Sequence, residues 1–223
     1  MENKNYKAIV IGGTGLIGRY LVENLINDEL CTKVTLLVRH DIKSWHEKLY
    51  IHTINFDDKN SYQSYLKGDV LFSTFGTTRL DAKNKENHYK VDHDYQYNIA
   101  KSAKQNGIEN YILVSSPLLN ENSSNYYRRM KWEIERDIKS LNFSRTIILR
   151  PNPLIGKRSN KRFGEHYATK ILLFIINTFS ILKKFKPILA KNVAKAMIKS
   201  YKDTNNYSKG VYILERTQID EYL

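Results

Sequence analysis

Tyr127-Arg-Arg-Met-Lys131 sets a phenol and an ammonium four residues apart. On a helix, such positions lie about 40° apart around the axis, so both side chains point into one crevice. A phenol with an ordinary pKa of about 10 is a poor acid or base at neutral pH, and a fixed ammonium one turn away stabilises its phenolate and brings it toward working range. Ser116, in Leu113-Val-Ser-Ser-Pro117, would supply a hydroxyl to hydrogen-bond a carbonyl or alcohol being transformed. Tyr126 is a competing phenol, but five residues from Lys131 it faces about 140° away, and packing or substrate contact is its assignment. A Tyr-x-x-x-Lys alone is commonplace in a chain with 16 Tyr, its alternative being an exposed helix face. What raises the chemical reading is the set of residues that accompanies it.

The first companion is Gly12-Gly-Thr-Gly-Leu-Ile-Gly18, spaced Gly-x-x-Gly-x-x-Gly directly after the apolar or small run Ala8–Gly12. Glycine is needed where the chain turns out of a strand and where backbone must touch a pyrophosphate or a neighbouring strand. The helix that follows, with Leu16, Ile17, Leu21, Val22, Leu25 and Ile26 recurring at helical spacing, turns its N–H groups and positive dipole end toward the phosphates. The second companion is Arg39, with His40, twenty-one residues past Gly18 and just after the next apolar run. An acid there would bind the ribose hydroxyls of NAD, whereas a guanidinium binds a 2′-phosphate, so NADP(H) is the expected cofactor. Arg19 either assists or is solvated, and Asp57 either accepts from the adenine amino group or is a turn residue.

Strand-like runs at Lys7–Gly12, Lys33–Arg39, Leu49–Phe56, Asp69–Phe75, Asn110–Ser115, Arg145–Arg150 and Gly210–Leu214 alternate with helical patterns. The helices are expected at Leu16–Asp28, Ser61–Lys67, Lys85–Asn106 with Gly107 as a left-handed cap, Tyr126–Leu141, Glu165–Lys184 and Asn192–Tyr201. This alternation predicts an α/β fold: a Rossmann-type, doubly wound parallel sheet with a small C-terminal substrate-lid region. Ligands of such sheets lie beyond the carboxyl ends of the strands. The expected cofactor contacts are therefore Gly12, Thr14, Gly15, Leu16, Ile17, Gly18, Arg39, Asp57, Phe75, Gly76, Thr77, Lys131 and Pro151. Arg79 is either an anchor for a carboxylate or phosphate or a solvated loop residue.

At 223 residues, with no linker-like stretch, the chain is expected to form one domain over 1–223, with 157–190 as a basic lid. No secretory or membrane-spanning run is visible, which predicts a cytoplasmic protein, and the single Cys31 excludes an intrachain disulfide and a multi-cysteine metal cluster. No metal site is expected. Of the formal charge of +13, more than half lies in 157–186, where eight Lys/Arg face one acid, Glu165. That segment is either solvated surface or an electropositive lid for an anionic substrate or membrane surface. Nucleic acid is not an expected partner, because no recognised binding module is present. The apolar face of 171–182 suits core packing or a homodimer interface.

With these motifs in their order, the chain resembles the atypical, extended short-chain dehydrogenase/reductases and, within them, the Tat-interactive-protein-like oxidoreductases. The carrying segments are residues 12–18, 33–39, Phe75-Gly-Thr-Thr-Arg79, Val91-Asp-His-Asp-Tyr95, 113–116, Ser123-Ser-Asn125 with Tyr127 and Lys131, and Leu149-Arg-Pro-Asn-Pro-Leu-Ile-Gly156. The resemblance implies an NADP(H)-bound Rossmann fold with a Ser-Tyr-Lys triad. Ser116 would hydrogen-bond the reacting oxygen, Tyr127 would be the acid/base, and Lys131 would tune Tyr127 and hold the nicotinamide ribose. Asp92 departs from the pattern by standing where many members place an Asn that completes a proton relay. Two functions follow: hydride transfer between nicotinamide and a small carbonyl or alcohol, or an NADP(H)-sensing, protein-binding module with little turnover. A nucleotide-sugar isomerase or dehydratase is disfavoured by the short C-terminal region.

Overall fold

The computed structural model describes residues 4–76, 84–156 and 186–223. Seven strands form one sheet: β1 (Tyr6–Ile11), β2 (Cys31–Val38), β3 (Leu49–Thr53), β4 (Val70–Ser73), β5 (Asn110–Val114), β6 (Arg145–Leu149) and β9 (Gly210–Leu214). Their order is β3-β2-β1-β4-β5-β6-β9, and every neighbouring pair is parallel. From β1 the chain winds outward in one direction to β3 and then returns to β4 on the other side, so the switch point lies between β1 and β4. A crevice at that switch point is where a doubly wound sheet binds its ligand.

Helices cover both faces, which is why β1, β4 and β6 read as continuous apolar runs. On one face α1 (Gly18–Ile26) and α5 (Ala190–Lys202) bury Leu21, Leu25, Val193 and Met197 against Val10 and Phe72. On the other, α3 (Tyr95–Gln105) and α4 (Tyr126–Ser140) bury Ile99, Ala103, Ile134 and Ile138 against Ile9, Leu71 and Ile148. Each such aliphatic side chain removed from water contributes about 1.5–3 kcal/mol. Gly107, with φ at +85°, ends α3 as its left-handed cap.

The structure redraws several expected boundaries. The helix read over Lys85–Asn106 is α2 (Lys85–Tyr89) and α3 joined by a π turn at Lys90–Asp94. The helix expected at Ser61–Lys67 is two short 3-10 turns, Lys59–Ser61 and Gln63–Tyr65. The reason is local: Asp58 accepts from Asn60 N, and Ser61 Oγ donates to the carbonyls of Asn55 and Asp58, which satisfies the backbone without a full helical turn. The third strand stops at Thr53. A two-stranded parallel pair, β7 (Leu154–Ile155) with β8 (Ile188–Leu189), and a last helix, α6 (Arg216–Asp220), carried no period long enough to be read. Of the basic lid expected over 157–190, residues 157–185, with the helix read at 165–184, lie outside the described residues, as do Thr77 and Arg79, while 188–190 form β8 and the start of α5.

Candidate active site

The glycine loop sits at the switch point because only glycine fits there. Gly12 has φ at +78°, and a Cβ on it would stand 2.6 Å from Thr74 C and Phe75 N, the backbone leaving β4. Gly18 is as tightly constrained, its would-be Cβ lying 2.1 Å from Gly12 O. Thr74 Oγ1 closes this junction by donating to the carbonyls of Ile11 and Gly12. Gly15 differs: among the described residues the one close neighbour of its Cβ would be Gly12 O at 3.2 Å, and it and Thr14 are exposed. Its missing side chain therefore leaves open space where a phosphate can approach backbone. Leu16 meets Gly156 beyond β7, where a Cβ would come within 2.6 Å of Leu16 Cδ1, and Ile17 is buried.

Two arginines lie nearby in the chain, one after β2 and one at the start of α1. Arg39 is exposed directly after β2, and no hydrogen bond or ion pair within the described structure engages it. Arg19, in the first turn of α1, has buried Nε and Nη2 atoms without hydrogen-bond partners. Asp57 lies after β3, as expected, but its carboxylate is already engaged: Lys90 Nζ is 2.7 Å from Oδ1, and Tyr95 donates to Oδ2 at 3.0 Å. The Lys90 ammonium holds the Asp57 carboxyl below its usual range. Phe56, Phe75 and Tyr95 form an aromatic cluster beside it. A cavity of about 850 Å³ opens there, lined by Phe56, Asp57, Tyr62, Tyr89, Lys90 and Tyr95 among others, but not by the glycine loop or Tyr127.

The side chains expected to react lie at the start of α4 and beyond β5. Asn125 caps α4 by accepting from Tyr127 N and Arg128 N, which explains the Ser-Ser-Asn segment and fixes where Tyr127 starts. Tyr127 is 38% exposed, whereas Lys131 is 4% exposed, and its Nζ lies 5.9 Å from the Tyr127 ring centroid. Burial by itself would lower the pKa of Lys131. The Asp92 carboxylate, with Oδ2 at 3.0 Å, and then Tyr127 outweigh that burial and keep the ammonium charged. Ser115 extends the sheet by donating its N–H to Leu149 O, and its Oγ is buried with no hydrogen-bond partner. Ser116 is the first residue beyond it and is partly exposed. Tyr126 OH donates to Lys85 O at 2.7 Å, consistent with a packing role.

Three residues without a role in the sequence reading shape this end. His88, buried in α2, lies nearly parallel to the Tyr127 ring with centroids 6.0 Å apart. Glu135, one turn past Lys131, is held by Arg150 through Nε to Oε1 at 3.0 Å and Nη2 to Oε2 at 2.6 Å. Arg150 also donates to Glu215 Oε1 at 3.0 Å. Arg150 thus ties the helix carrying Tyr127 to the exits of β6 and β9, next to Pro151. The i, i+4, i+8 spacing of Tyr127, Lys131 and Glu135 was a readable signal; the partner just past β6, Arg150, was not.

Residues 12–162 match the model of a family described as NAD(P)H-binding. The mitochondrial protein FMP52 of Kluyveromyces lactis is 34% identical over 206 residues, 91% of this chain and 92% of that one. The mitochondrial protein fmp52-1 of Aspergillus oryzae is 31% identical over 96% of this chain and 95% of its own. Among solved structures, a UDP-N-acetylglucosamine 4-epimerase from Methanobrevibacter ruminantium superposes with a TM-score of 0.70 at 22% identity, covering 95% of this chain and 76% of that one. The ADP-L-glycero-D-manno-heptose-6-epimerase of Helicobacter pylori gives 0.67 at 19%, covering 96% and 78%. At these identities the likeness is one of fold. No described helix is long and apolar enough to cross a membrane. The expected cytoplasmic location is overturned by the relatives, which are named as mitochondrial proteins across several fungi. A lack of visible targeting signal was too weak a basis for it, because such signals are compositional. With its glycine cradle at the switch point and this match over most of its length, the chain belongs to the NAD(P)H-binding family that includes the fungal FMP52 proteins.

Proposed function

We propose that this protein is an NADP(H)-dependent oxidoreductase that interconverts a small carbonyl compound and its alcohol. The observation that carries the reading is the placement of Lys131 Nζ 5.9 Å from the Tyr127 ring, in the first turns of a helix capped by Asn125. Gly12 to Gly18 would receive the pyrophosphate, with Thr14, Leu16 and Ile17 along it. Arg39, assisted by Arg19, would take the 2′-phosphate. Asp57, Phe75, Gly76 and Thr77 would flank the adenosine side, and Lys131 and Pro151 the nicotinamide side. A bound nicotinamide supplies or accepts the hydride. Tyr127 gives the substrate oxygen its proton, Ser116 hydrogen-bonds that oxygen, and Lys131 steadies the phenolate left behind. The basic run over 157–186 supports an anionic substrate, the relatives' names support a mitochondrial setting, and the segments 76–79 and 123–125 support a Tat-interactive-protein-like affinity.

The test is NADPH oxidation over a panel of aldehydes and ketones, comparing wild type with Tyr127→Phe. Loss of about 100-fold or more in the variant is expected, and equal rates would remove Tyr127 from the mechanism. A protein that binds NADPH tightly, turns over no member of the panel and changes its binding of a protein partner when loaded would instead be a sensor.

A further inference from the structure

Asp92 is the group whose placement the proposed chemistry leaves unexplained. It is 1% exposed, in the π turn between α2 and α3, beside Gly76 at the exit of β4. Its Oδ2 faces Lys131 Nζ at 3.0 Å and His88 Nε2 at 3.9 Å. That His88 nitrogen is buried without a hydrogen-bond partner, and the His88 ring lies alongside Tyr127. The two groups that bracket Tyr127 therefore converge on one carboxylate oxygen. An amide at this position would also accept from Lys131, but it would leave the full ammonium charge beside the phenol. A carboxylate 3.0 Å from the ammonium opposes its field, so the phenol senses an ion pair in place of a bare cation.

We propose that Asp92 is a positioning residue that anchors Lys131 and cancels part of the lysine charge reaching Tyr127. The inference rests on Tyr127 being the acid/base of the proposed reaction. Among the described residues, the other charged or titratable groups around this cluster are His88 and Lys85 on α2 and Tyr126, Arg128, Arg129 and Glu135 on α4; Lys85 lies over the Tyr126 ring, burial and then the Asp92 charge push the Tyr126 phenol up, and Glu135 is engaged by Arg150.

Asp92→Asn keeps an acceptor oxygen for Lys131 and removes the charge. Without the opposing carboxylate the phenolate is better stabilised, so the phenol gives up its proton at lower pH. For carbonyl reduction, which needs the protonated phenol, the alkaline limb of the kcat/KM profile should move down by about one pH unit. Asp92→Ala loses the anchor as well, and its kcat should fall further. A limb that stays in place in Asp92→Asn, whatever the change in melting temperature, overturns the proposal.

A second readout needs no turnover. The near-ultraviolet tyrosinate titration of wild type minus Tyr127→Phe isolates one phenol, and the same difference taken in the Asp92→Asn background should have a lower midpoint. A lowered midpoint in a protein that reduces nothing would retain the Asp92 inference and discard the oxidoreductase reading; an unchanged midpoint discards the inference. Should Asp92→Asn fail to fold, removing both charges together is the gentler change. Lys131→Met combined with Asp92→Asn should then leave the Tyr127 midpoint within about one pH unit of wild type, because the two charges it removes oppose each other, and a larger rise, as loss of an unopposed cation would give, overturns the proposal.

Discussion

The two ends of the crevice are built by different physics. The glycine-loop end is made of backbone: a left-handed turn at Gly12, strand exits in direct contact and an exposed Arg39 that no described partner engages. The Tyr127 end is made of buried charge, with Lys131 on Asp92 and Glu135 on Arg150 fixing successive turns of α4. Backbone close packing tolerates no added atom, whereas buried ion pairs tolerate replacement of both partners better than loss of one. The first end should therefore fail by steric exclusion and the second by uncompensated charge.

The largest effect should come from Gly12→Ala. Its φ of +78° and the 2.6 Å approach to Phe75 N leave no room for a methyl group, and strain plus overpacking should cost about 4 kcal/mol. Thermal unfolding reads this directly. Gly15→Ala is the control on the same loop: it should melt within about 1 kcal/mol of wild type yet lose NADPH affinity, because its open side faces the ligand. Equal destabilisation by the two would break the distinction between packing glycine and ligand glycine.

At the other end, Arg150→Met leaves the buried Glu135 carboxylate without its bidentate partner. A loss of about 3 kcal/mol is expected, toward the low end because Lys139 Nζ remains 3.7 Å from Oε2. The double variant Glu135→Met with Arg150→Met should recover most of it in the same unfolding assay. If the double is no more stable than the single, the clamp on α4 is not electrostatic.

This difference in construction also explains what the sequence could disclose. Gly12, Gly15 and Gly18 announce themselves because a backbone requirement is met by one residue type at fixed spacing. Tyr127 and Lys131 were legible for a similar reason, sharing one helix at a four-residue period. The partners of Lys131 and Glu135 were not, since Asp92 and Arg150 reach them from other elements and any acid or base nearby in sequence would have served as well. The π turn at Lys90–Asp94, which carries Asp92, is invisible to a 3.6-residue period, which reads straight through it. The β7–β8 pair is two residues long on each side, too short for any alternation.

Arg39→Ala tests the ligand side of the backbone-built end. Loss of a charge-assisted contact to a 2′-phosphate is worth about 1.5–3 kcal/mol, or roughly ten- to a hundredfold in NADPH affinity. NADH affinity and the melting temperature should hardly move, because Arg39 is exposed and touches nothing that holds the fold. Cofactor fluorescence titrations of both nucleotides decide it, and an unchanged NADPH affinity removes the 2′-phosphate assignment.

The smallest effect should be at Asp57, where the comparison turns on exposure. Its ion pair with Lys90 resembles that of Lys131 with Asp92 in length, 2.7 against 3.0 Å, but it lies in solvent. Screening by water leaves such a pair little net stabilisation. Its sign is nonetheless testable. The Lys90 ammonium holds the Asp57 carboxyl below its usual value, so any stabilisation is present above the unfolded carboxyl pKa of about 3.9 and is lost as pH falls through the lower folded value. Wild type should therefore melt slightly above Asp57→Asn near neutral pH, and the two curves should converge in acid. Convergence toward high pH would mean that the carboxylate is not the stabilising form. A gap as large as that of Arg150→Met would mean that this end, too, depends on charge, and the division between the two ends would fail.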